Sequence, residues 1–452
     1  MPNLAVVIMA AGKGTRMKSK LPKVMHDIAG KPLIEHVLET VRQVGIECPI
    51  VVLGHGKEIV RTRVEDRCQI VNQTEQLGTG HAIMQALPFL DVKDDVIVLS
   101  GDQPLLKAGT LHELIKLHRV EEATATVLTA KLTNPFGYGR IVKNAGDLAR
   151  IVEEKDATPE ERKLQEINTG TYCFKVSELK EALSQITPKN AQGEYYLTDV
   201  FNIFIAKSAK VLTHCTLDSD EALGINSRSQ LAEAEKIYCQ RIRQYWMDEG
   251  VTIVDPATTF IDAEVKLAPD VTLLPFTILK GKTQISEDTV IGPQVQIDSC
   301  ICGVGCEISY TVAQEAVISE GCKVGPYAYL RPGTYLEASV KIGDFVEIKN
   351  SHIGVGTKIP HLSYIGDAQV GKSVNIGAGS ITCNYDGIKK SQTKICDHAF
   401  IGSNTNLVAP VEIGEGAMTG AGSTITKDVP AQALVVERSK QVIRDQYVKE
   451  KK

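Results

Sequence analysis

The residues best suited to phosphate chemistry follow an apolar run close to the N-terminus. Leu4 to Met9 lead directly into Ala10-Ala11-Gly12-Lys13-Gly14-Thr15-Arg16-Met17. Closely spaced glycines let backbone N–H groups approach phosphate oxygens, and Lys13 and Arg16 add positive charge. No Gly-Lys-Ser/Thr ending makes this a Walker A loop, and Met17 stands where a dinucleotide fingerprint has its third glycine. The loop alone leaves two interpretations, a nucleotide-binding loop and an ordinary strand-to-helix turn.

A carboxylate and a second cation fit the same chemistry. Ser100-Gly101-Asp102-Gln103-Pro104 follows the apolar run from Asp95 to Leu99, and Lys23 lies in Leu21-Pro22-Lys23. Magnesium usually takes one or two protein ligands and completes its shell with water and phosphate oxygens, so a single aspartate is chemically sufficient. Taken alone, Asp102 also fits a turn and Lys23 a solvated surface lysine.

A histidine near the C-terminus lies beside a repeat. His361 belongs to Lys358-Ile359-Pro360-His361-Leu362-Ser363-Tyr364, and a non-repetitive segment from Asn384 to about Thr393 is long enough to form a projecting loop. With an ordinary pKa of about 6.5, a histidine suits general-base work, which contributes about 10²–10⁴ in rate. A lone histidine in a repeat is more often a surface residue, so His361 needs further support.

The elements around the N-terminal motifs alternate between strand and helix. Short apolar runs at 49–53, 69–71 and 95–99 are separated by helical patterns, such as the one after Pro32 and the one from about Thr79. This alternation predicts a mostly parallel sheet covered on both faces. Ligands bind at the carboxyl ends of such strands, which is where the loop after Met9 and the Asp102 motif lie.

Two further patterns organise the rest of the chain. Leu231, Ala234, Tyr238, Ile242 and Tyr245 are spaced by three or four, which predicts one amphipathic helix over 227–249 that Gly250 ends and in which Trp246 packs. Beyond it, apolar residues recur every six positions, which is typical of a β-helix of hexapeptide repeats. The first ladder contains Val312, Ile318, Val324, Leu330, Leu336, Ile342 and Ile348, and the second contains Ile395, Ile401, Leu407 and Ile413, then skips Thr419 and continues at Ile425.

Composition bounds the functional classes. The chain has 452 residues and a net charge of −5, so it carries no overall basic field for nucleic acid or membrane. No apolar stretch approaches the length of a membrane-spanning helix or resembles a signal peptide. Eleven cysteines form no disulfide framework and no zinc-ligand spacing, and Cys300, Cys306 and Cys322 fall in phase with the repeat as buried thiols. We expect a cytoplasmic protein.

The motifs together resemble those of sugar nucleotidyltransferases. The loop at 10–17, Lys23, the Gly-Asp-x-Pro motif, Gly137-Tyr138-Gly139-Arg140, Glu153 and Asn168-Thr169-Gly170 match in order and spacing. Over essentially the whole chain, including the run at 192–199, the resemblance is strongest to the bifunctional N-acetylglucosamine-1-phosphate uridyltransferase/glucosamine-1-phosphate acetyltransferase family. In this comparison Met9 replaces the usual leucine, a volume-conserving change.

The resemblance implies an α/β, Rossmann-like nucleotidyltransferase domain and a site for UTP and N-acetylglucosamine-1-phosphate. Asp102 and Asn226 would bind Mg²⁺. The implied substrate-binding residues are Ala10, Ala11 and Gly12 on the nucleotide; Lys13, Arg16 and Lys23 on its phosphates; Gln73, Gly78 and Thr79 on the uracil; Ser100 and Gly101 beside Asp102; and Gly139, Glu153 and Asn168 on the sugar.

The resemblance also implies a left-handed parallel β-helix that transfers acetyl groups from acetyl-CoA to glucosamine-1-phosphate. His361 would be the general base, with Glu347 a candidate to orient it. Pro360 is a departure, since the family often has a small or polar residue there, and it should stiffen the approach to His361. Arg331 and Lys349 would hold the phosphate, and Tyr364 and Asn375 the sugar. The implied acetyl-CoA residues are Ala378, Asn384, Tyr385, Ser403, Ala421 and Arg438.

The predicted organisation is therefore a uridyltransferase domain at 1–226, a linker helix at 227–249 and an acetyltransferase domain at 250–452. A basic tail with Lys449, Lys451 and Lys452 is expected to be solvated. The family implies a homotrimer, because it builds each acyl site between neighbouring β-helices. Two alternatives stay open: a one-activity nucleotidyltransferase whose β-helix only trimerises or regulates, which would not need His361 or Arg438, and an inactive nucleotide-sensing subunit, which would not need Lys23 or Asp102.

Overall fold

The protein's computed structural model describes residues 3–447 and divides into two compact units, Met1–Tyr238 and Cys239–Lys452. The predicted basic tail with Lys449, Lys451 and Lys452 lies outside the described residues. The predicted domain boundaries at 226 and 250 are functional divisions, and they stay a prediction.

The first unit is a mixed sheet covered by helices. Its strands are β1 (Leu4–Ala10), β2 (Asp27–Ile28), β3 (Lys31–Pro32), β4 (Ile50–Leu53), β5 (Gln69–Asn72), β6 (Asp95–Ser100), β7 (Ala125–Lys131), β8 (Gly139–Asn144), β9 (Asp147–Val152), β10 (Glu166–Lys175) and β11 (Val211–Cys215). Its helices are α1 (Leu33–Gln43), α2 (Lys57–Val64), α3 (Thr79–Ala86), α4 (Ala108–Val120), α5 (Val176–Leu183) and α6 (Asp199–Ala206).

The strands lie in the order β11-β7-β10-β6-β1-β4-β5, and β8 joins β10 and β9. Strands β6, β1, β4 and β5 are parallel, as predicted, while β10 runs antiparallel to β6 and β7. The apolar runs that predicted β1, β4 and β6 are buried because helices cover both faces of the sheet. The loop after β1 and Asp102 after β6 therefore leave the same edge of the sheet.

The helix α7 (Arg228–Asp248) differs from its predicted bounds by one residue at each end. The division between the two units falls inside it, after Tyr238. In the first unit the ring of Tyr238 packs against that of His36 at a tilt of 58°, with ring centroids 4.4 Å apart. In the second unit Trp246 packs against the apolar core, as the sequence predicted.

The second unit is built from short parallel strands. They are β12 (Thr252–Ile253), β13 (Phe260–Ile261), β14 (Lys266–Leu267), β15 (Thr272–Leu273), β16 (Thr277–Lys280), β17 (Gln284–Ile285), β18 (Val290–Ile291), β19 (Val295–Asp298), β20 (Ile301–Cys302), β21 (Glu307–Ile308), β22 (Val312–Gln314), β23 (Val317–Ile318), β24 (Lys323–Val324), β25 (Tyr329–Leu330), β26 (Tyr335–Leu336), β27 (Lys341–Asp344), β28 (Glu347–Lys349), β29 (His352–Ile353), β30 (Lys358–His361), β31 (Tyr364–Gly366), β32 (Ala368–Val370), β33 (Asn375–Ile376), β34 (Ile381–Cys383), β35 (Thr393–Ile395), β36 (Phe400–Ile401), β37 (Asn406–Val408), β38 (Val411–Ile413), β39 (Met418–Thr419), β40 (Thr424–Ile425) and β41 (Leu434–Val435).

These strands form three parallel sheets that follow one another in rotation, one strand from each sheet per coil. This arrangement is the β-helix that the hexapeptide repeat predicted, and it fits the left-handed form that the resemblance implied. Stacked residues of consecutive coils, such as Ile342 and Ile359, lie beside each other and are buried. The interior is thus a column of aliphatic side chains that each coil shares with its neighbours.

The structure corrects the ladder at one position. Val312 is 40% exposed, and its neighbour Ala313 is buried in its place. Ala313 lies five positions after Ile308 and five before Ile318, because two coil sides are one residue shorter there. A strict period of six therefore points at the wrong residue. Cys300, Cys306 and Cys322 are buried as predicted, but Cys300 and Cys306 occupy corner positions two residues before the strand position.

Burial also keeps these thiols protonated. It raises the pKa of Cys300 to about 11 and that of Cys322 to about 12. Within residues 3–447 no group of three or more His, Cys, Asp or Glu side chains could hold a metal ion. The same part of the chain holds no helix that is apolar and long enough to cross a membrane.

Candidate active sites

The loop after β1 is shaped by glycine at one position above all. Gly14 has φ +59°, and a Cβ on it would lie 2.8 Å from the Cβ of Lys23. Around Gly12 no atom lies within 4 Å of the position a Cβ would take, which leaves its backbone open. Met17, in the place of a third glycine, is buried in the core of the first unit. The loop therefore brings its open backbone and Lys23 to one place.

Lys23, Asp102 and Asn226 form one polar group. The ammonium of Lys23 makes an ion pair with Asp102 and donates to Asn226 Oδ1 over 3.0 Å. Ser100 Oγ donates to the other carboxylate oxygen of Asp102 over 2.6 Å. The backbone brings Asn226 here, because the N–H of Ile225 donates to the carbonyl of Asp102 over 3.0 Å. A carboxylate and an amide oxygen therefore converge on one positive charge.

The electrostatics of this group keep Asp102 ionised. Burial would raise the pKa of its carboxyl, but the charge and hydrogen bond of Lys23 and the hydroxyl of Ser100 outweigh burial and lower that pKa below its ordinary value. A buried carboxylate held charged by one flexible ammonium is suited to accept a cation from solution.

Two cavities meet at Asp102. The first has a volume of about 440 Å³ and the second about 430 Å³. Met9, Thr79, Ser100 and Asp102 line both of them. Other residues of the first cavity are Ala10, Ala11, Gly12, Lys13, Lys23, Gln73 and Gly78. Other residues of the second cavity are Arg16, Tyr138, Gly139, Glu153, Asn168, Thr198 and Asn226.

The second cavity is built by strand register. Gly139 on β8 pairs with Asn168 on β10, and a Cβ on Gly139 would lie 3.5 Å from both Asn168 and Glu153. Thr198 donates to Glu153 Oε1 over 3.1 Å. Burial raises the pKa of Glu153, and the hydrogen bond from Thr198 only partly offsets it. The cavity thus holds a carboxyl, an amide and a bare backbone, which suit the hydroxyl groups of a sugar.

The loop above this cavity is fastened by a buried ion pair. Arg140 is almost fully buried, and its Nη2 donates to Glu154 Oε2 over 2.8 Å. The same carboxylate oxygen accepts the N–H of Gly137 over 3.1 Å, while the guanidinium also donates to the carbonyl of Tyr138. The Arg140–Glu154 pair therefore binds two backbone groups of the 137–139 loop, the N–H of Gly137 and the carbonyl of Tyr138.

In the second unit His361 lies at the end of β30 and is well exposed. Its Nδ1 lies 2.6 Å from Asp344 Oδ1, because Asp344 on β27 is its register partner one coil earlier. A carboxylate can only accept, so Nδ1 carries the proton and Nε2 is left as the basic nitrogen. The hydrogen bond to His361 is the main reason that the pKa of Asp344 is lowered.

The expectation that Glu347 orients His361 is wrong. Glu347 lies on β28, in a different sheet from His361, and accepts from Arg331 Nη1 over 2.8 Å.

Pro360, the residue before His361, leaves the backbone on both sides of it hydrogen-bonded. The backbone N–H of Lys358 donates to the carbonyl of Val374 over 2.9 Å, and that of Leu362 donates to the carbonyl of Asp344 over 2.9 Å. The carbonyl of Pro360 also packs so closely on Gly343 that a Cβ there would lie 1.8 Å away.

Polar and charged side chains of consecutive coils also meet around Asp367. Lys349 Nζ is 3.9 Å from Asp367 Oδ2, and Asn384 Nδ2 donates to the same oxygen over 2.5 Å. Asn384 also lies 3.4 Å from the hydroxyl of Tyr364. Asn384, which the resemblance places on acetyl-CoA, is thus joined to the residues implied for the sugar phosphate.

Four of the other residues implied for acetyl-CoA, Ala378, Ser403, Ala421 and Arg438, follow one corner of the β-helix. Asn404 N donates to the carbonyl of Ala378 over 2.7 Å, and Gly422 N to that of Ser403 over 2.8 Å. Arg438 Nη1 donates to the carbonyl of Ala421 over 3.2 Å. These residues therefore form a narrow strip of small side chains across successive coils, with a guanidinium at its end.

The chain was compared with known families and proteins. Residues 5–253 match the Nucleotidyl transferase family, and residues 392–427 match the Bacterial transferase hexapeptide (six repeats) family. The Bifunctional protein GlmU of Desulfitobacterium hafniense is 64% identical over 452 residues, which is all of both chains. The protein of the same name from Heliobacterium modesticaldum is 54% identical over 444 residues, 98% of this chain and 97% of the relative. This chain belongs to the bifunctional GlmU family.

Like its GlmU relatives, this chain is a bifunctional enzyme with a nucleotidyltransferase part and a hexapeptide transferase part. Most residues implied by the resemblance are brought together, although their roles in substrate binding stay predictions. Gly101 lines neither cavity; its N–H donates to the carbonyl of Met9 over 2.9 Å. Arg16 lines the second cavity and not the first. Tyr385 is exposed on the projecting loop, and Asn375 lies on β33 beside Lys358.

Sequence reasoning missed several residues of the two candidate sites of this GlmU-family chain. Asp344 stands 17 residues before His361, which is the spacing of stacked coil residues such as Ile342 and Ile359, so coil register could have found it. Thr198 and Tyr138 lie within motifs that the sequence singled out, but only the fold turns their hydroxyls toward Glu153 and the N–H of Gly224.

Proposed function

We propose that this enzyme makes UDP-N-acetylglucosamine in two steps: acetyl transfer from acetyl-CoA to glucosamine-1-phosphate in the second unit, then uridylyl transfer from UTP in the first. The observation that carries the proposal is the pair of cavities meeting at Asp102, in a chain similar over its full length to bifunctional relatives. The first cavity would hold UTP and the second the sugar phosphate.

In uridylyl transfer a phosphate oxygen of N-acetylglucosamine-1-phosphate attacks the α-phosphorus of UTP, and pyrophosphate leaves. The substrate supplies the nucleophile, so the protein needs to align two phosphates and balance their charge. Lys13, Arg16 and Lys23 are the cations placed for this task around Asp102. Glu153, Asn168 and Gly139 would hold the sugar, and Gln73 and Gly78 the base.

We propose Asp102 and Asn226 as the protein ligands of Mg²⁺. Their oxygens converge on the Lys23 ammonium, which stands where a cation is favoured, and a carboxylate with an amide oxygen is a donor set that Mg²⁺ accepts. When bound, the ion would neutralise phosphate charge. Lys23 would then be free to turn toward the phosphates.

In acetyl transfer the amine of glucosamine-1-phosphate attacks the thioester carbonyl carbon. His361 Nε2 takes the proton that the amine loses, the C–S bond breaks, and coenzyme A leaves as a thiolate that is then protonated. Asp344 stabilises the imidazolium that forms, because it accepts from Nδ1. Arg331 and Lys349 would hold the phosphate, and Tyr364 and Asn375 the sugar. Ala378, Asn384, Tyr385, Ser403, Ala421 and Arg438 would hold acetyl-CoA.

We also propose a cytoplasmic homotrimer. Its support is an exposed apolar ridge on the β-helix, in which Tyr327 stacks on Phe345 with centroids 5.4 Å apart and Leu362 continues one coil later. A single chain has a mass of 49.1 kDa, so sedimentation equilibrium should return three times that value. A monomer would contradict the assembly.

The proposed location is the cytoplasm. It supplies UTP and acetyl-CoA, and it keeps thiols reduced, which fits the free Cys48 and Cys215.

The experiment that tests the function supplies each half-reaction separately. The purified protein should release coenzyme A from acetyl-CoA only with glucosamine-1-phosphate, and pyrophosphate from UTP only with N-acetylglucosamine-1-phosphate and Mg²⁺. A protein that forms UDP-N-acetylglucosamine but never acetylates glucosamine-1-phosphate would support the alternative in which the β-helix is structural. The loss of both activities in a folded protein would reject the proposal.

A further inference from the structure

A chain of side chains behind the first cavity ends at Gln73. The side-chain nitrogen of Gln73 lies 3.0 Å from the carbonyl of Gly78 and 3.1 Å from His81 Nδ1. His81 Nε2 in turn lies 3.1 Å from the side-chain amide of Gln85. Gln73 lines the first cavity and is 4% exposed, whereas His81 and Gln85 do not line it. His81 can therefore act on a ligand only through Gln73.

The amide of Gln73 has only one satisfactory orientation. A backbone carbonyl accepts but never donates, so the group that faces Gly78 must be the NH₂ group. If the amide turned over, its oxygen would face the carbonyl of Gly78 in a buried place, at a cost of about 1–3 kcal/mol. Both hydrogen bonds of the Gln73 side chain to the protein thus use its nitrogen. Within the described residues Oε1 accepts no hydrogen bond from the protein, so a residue that lines the first cavity keeps a free acceptor.

This orientation fixes the tautomer of His81. Nδ1 must accept from Gln73, so the proton of the neutral ring is on Nε2. Gln85 is half-exposed, and the other contact of its amide, to the carbonyl of His81, is long at 3.4 Å. Its amide can turn so that Oε1 accepts the N–H of the ring. The order of donors is then Gln73 to His81, and His81 to Gln85.

We propose that His81 is a positioning residue that selects the base: it holds Gln73 with an acceptor toward the nucleotide and so favours UTP over CTP. Uracil carries a donor, N3–H, where cytosine carries an unprotonated N3. An acceptor from Gln73 pairs with the first and repels the second. A site built to hydrogen-bond one group rejects the analogue that lacks it, because buried polar atoms are left unpaired. The inference rests on the proposed uridylyl transfer.

The test compares two substitutions of nearly equal shape. In His81→Asn the side-chain oxygen replaces Nδ1 as the acceptor, whereas His81→Leu has the same branched outline and no acceptor. The full-length protein is assayed with UTP and with CTP, with N-acetylglucosamine-1-phosphate and Mg²⁺ saturating. Loss of one neutral hydrogen bond predicts that His81→Leu raises the KM for UTP about 3- to 10-fold. The UTP-to-CTP ratio of kcat/KM should fall by the same factor, with kcat and the sugar KM within about twofold.

His81→Asn should keep the wild-type ratio within about twofold, and Gln85→Met should shift it less than His81→Leu. Equal behaviour of the Asn and Leu variants, or a His81→Leu enzyme with unchanged discrimination, would overturn the inference. If His81→Leu does not fold, ¹⁵N spectra of the wild-type histidine decide, since protonation at Nδ1 would reject the proposed tautomer. A wild-type protein without uridylyl transfer would instead overturn the proposed function.

Discussion

At the residue scale the two sites use a carboxylate differently. Asp102 is buried and held charged by Lys23, which makes it a place for positive charge. Asp344 is a partner of a histidine ring, and it determines which ring nitrogen is basic. In the proposed function, Asp102 would therefore prepare a phosphate site, and Asp344 would prepare a base.

The Asp344–His361 pair gives the first prediction. Asp344→Asn should lower kcat of acetyl transfer about 10- to 100-fold, less than the 10²–10⁴ that a general base contributes, because the base remains but its imidazolium loses a charged partner. Glu347→Gln is the matched control. Since Glu347 contacts Arg331, its loss should change the KM for glucosamine-1-phosphate and leave kcat within about twofold. A large fall in kcat for Glu347→Gln, with a normal kcat for Asp344→Asn, would contradict the role proposed for Asp344.

Glu153 gives a pH prediction. Its pKa is raised by burial, so as pH falls it takes up a proton before an exposed glutamate would, and it then loses its charge as an acceptor for sugar hydroxyls. The KM for N-acetylglucosamine-1-phosphate should rise toward low pH in the wild type. Glu153→Gln is neutral at every pH and should show only the ionisation of the substrate phosphate, near pH 6. Parallel profiles of KM against pH would contradict this role.

The candidate residues in the loop at 10–17 and around Asp102 could be singled out from the sequence, because glycine, lysine and aspartate carry their chemistry in their type. The partner of His361 could not, because it depends on which residue lies one coil earlier. Asn384 illustrates the same limit, since its place beside Asp367 and Tyr364 follows from stacking and not from its neighbours in sequence.

At the element scale, coil-to-coil contact positions His361. Gly343 on β27 abuts the carbonyl of Pro360, the residue before the base. Gly343→Ala should displace that carbonyl and lower kcat/KM of acetyl transfer about tenfold or more, since a misplacement of about 1 Å can cost about 10²-fold. Uridylyl transfer should be unchanged.

Gly303→Ala provides the control for this prediction. A Cβ there would lie 2.6 Å from the backbone nitrogen of Glu320, so it crowds a coil that carries no proposed catalytic residue. It should lower the free energy of unfolding by about 1–3 kcal/mol and leave both activities intact. A folded Gly343→Ala protein with normal acetyl transfer would mean that the coil does not position the base.

The loop at 137–139 supports a second element-scale prediction. Glu154→Gln weakens the bond to Arg140 that fastens this loop over the second cavity. Loss of a charge-assisted hydrogen bond predicts a rise of about tenfold or more in the KM for the sugar phosphate, with the KM for UTP unchanged. The exposed pair of Glu181 and Lys207 offers the control, and Glu181→Gln should change neither constant. Equal rises in both KM values would point to a general loss of structure.

Periodicity predicted most elements, because apolar spacing reports which face is buried. The bounds of α7 and the start of α3 at Thr79 followed from it. It failed at Val312, where a coil side is one residue shorter and the buried position moves to Ala313. It also gave no sign that β10 would enter the sheet antiparallel, since its residues are buried in either direction.

At the scale of the whole molecule, a chain with net charge −5 binds phosphates only through local cations. We propose one such group of cations in each unit: Lys13, Arg16 and Lys23 in the first, Arg331 and Lys349 in the second. Each unit also has its own apolar core, so a change at one site need not disturb the other. We therefore expect the two active sites to work independently, and the predicted domain boundaries at 226 and 250 depend on that independence.

The most direct test measures both half-reactions on Asp102→Asn and on His361→Ala, with folding checked by circular dichroism. Asp102→Asn should lower UDP-N-acetylglucosamine formation at least about 10²-fold and leave acetyl transfer within about twofold. His361→Ala should lower acetyl transfer about 10²–10⁴-fold and leave uridylyl transfer intact. A folded variant of either kind that loses both activities, or neither, would contradict the assignment of two separate active sites.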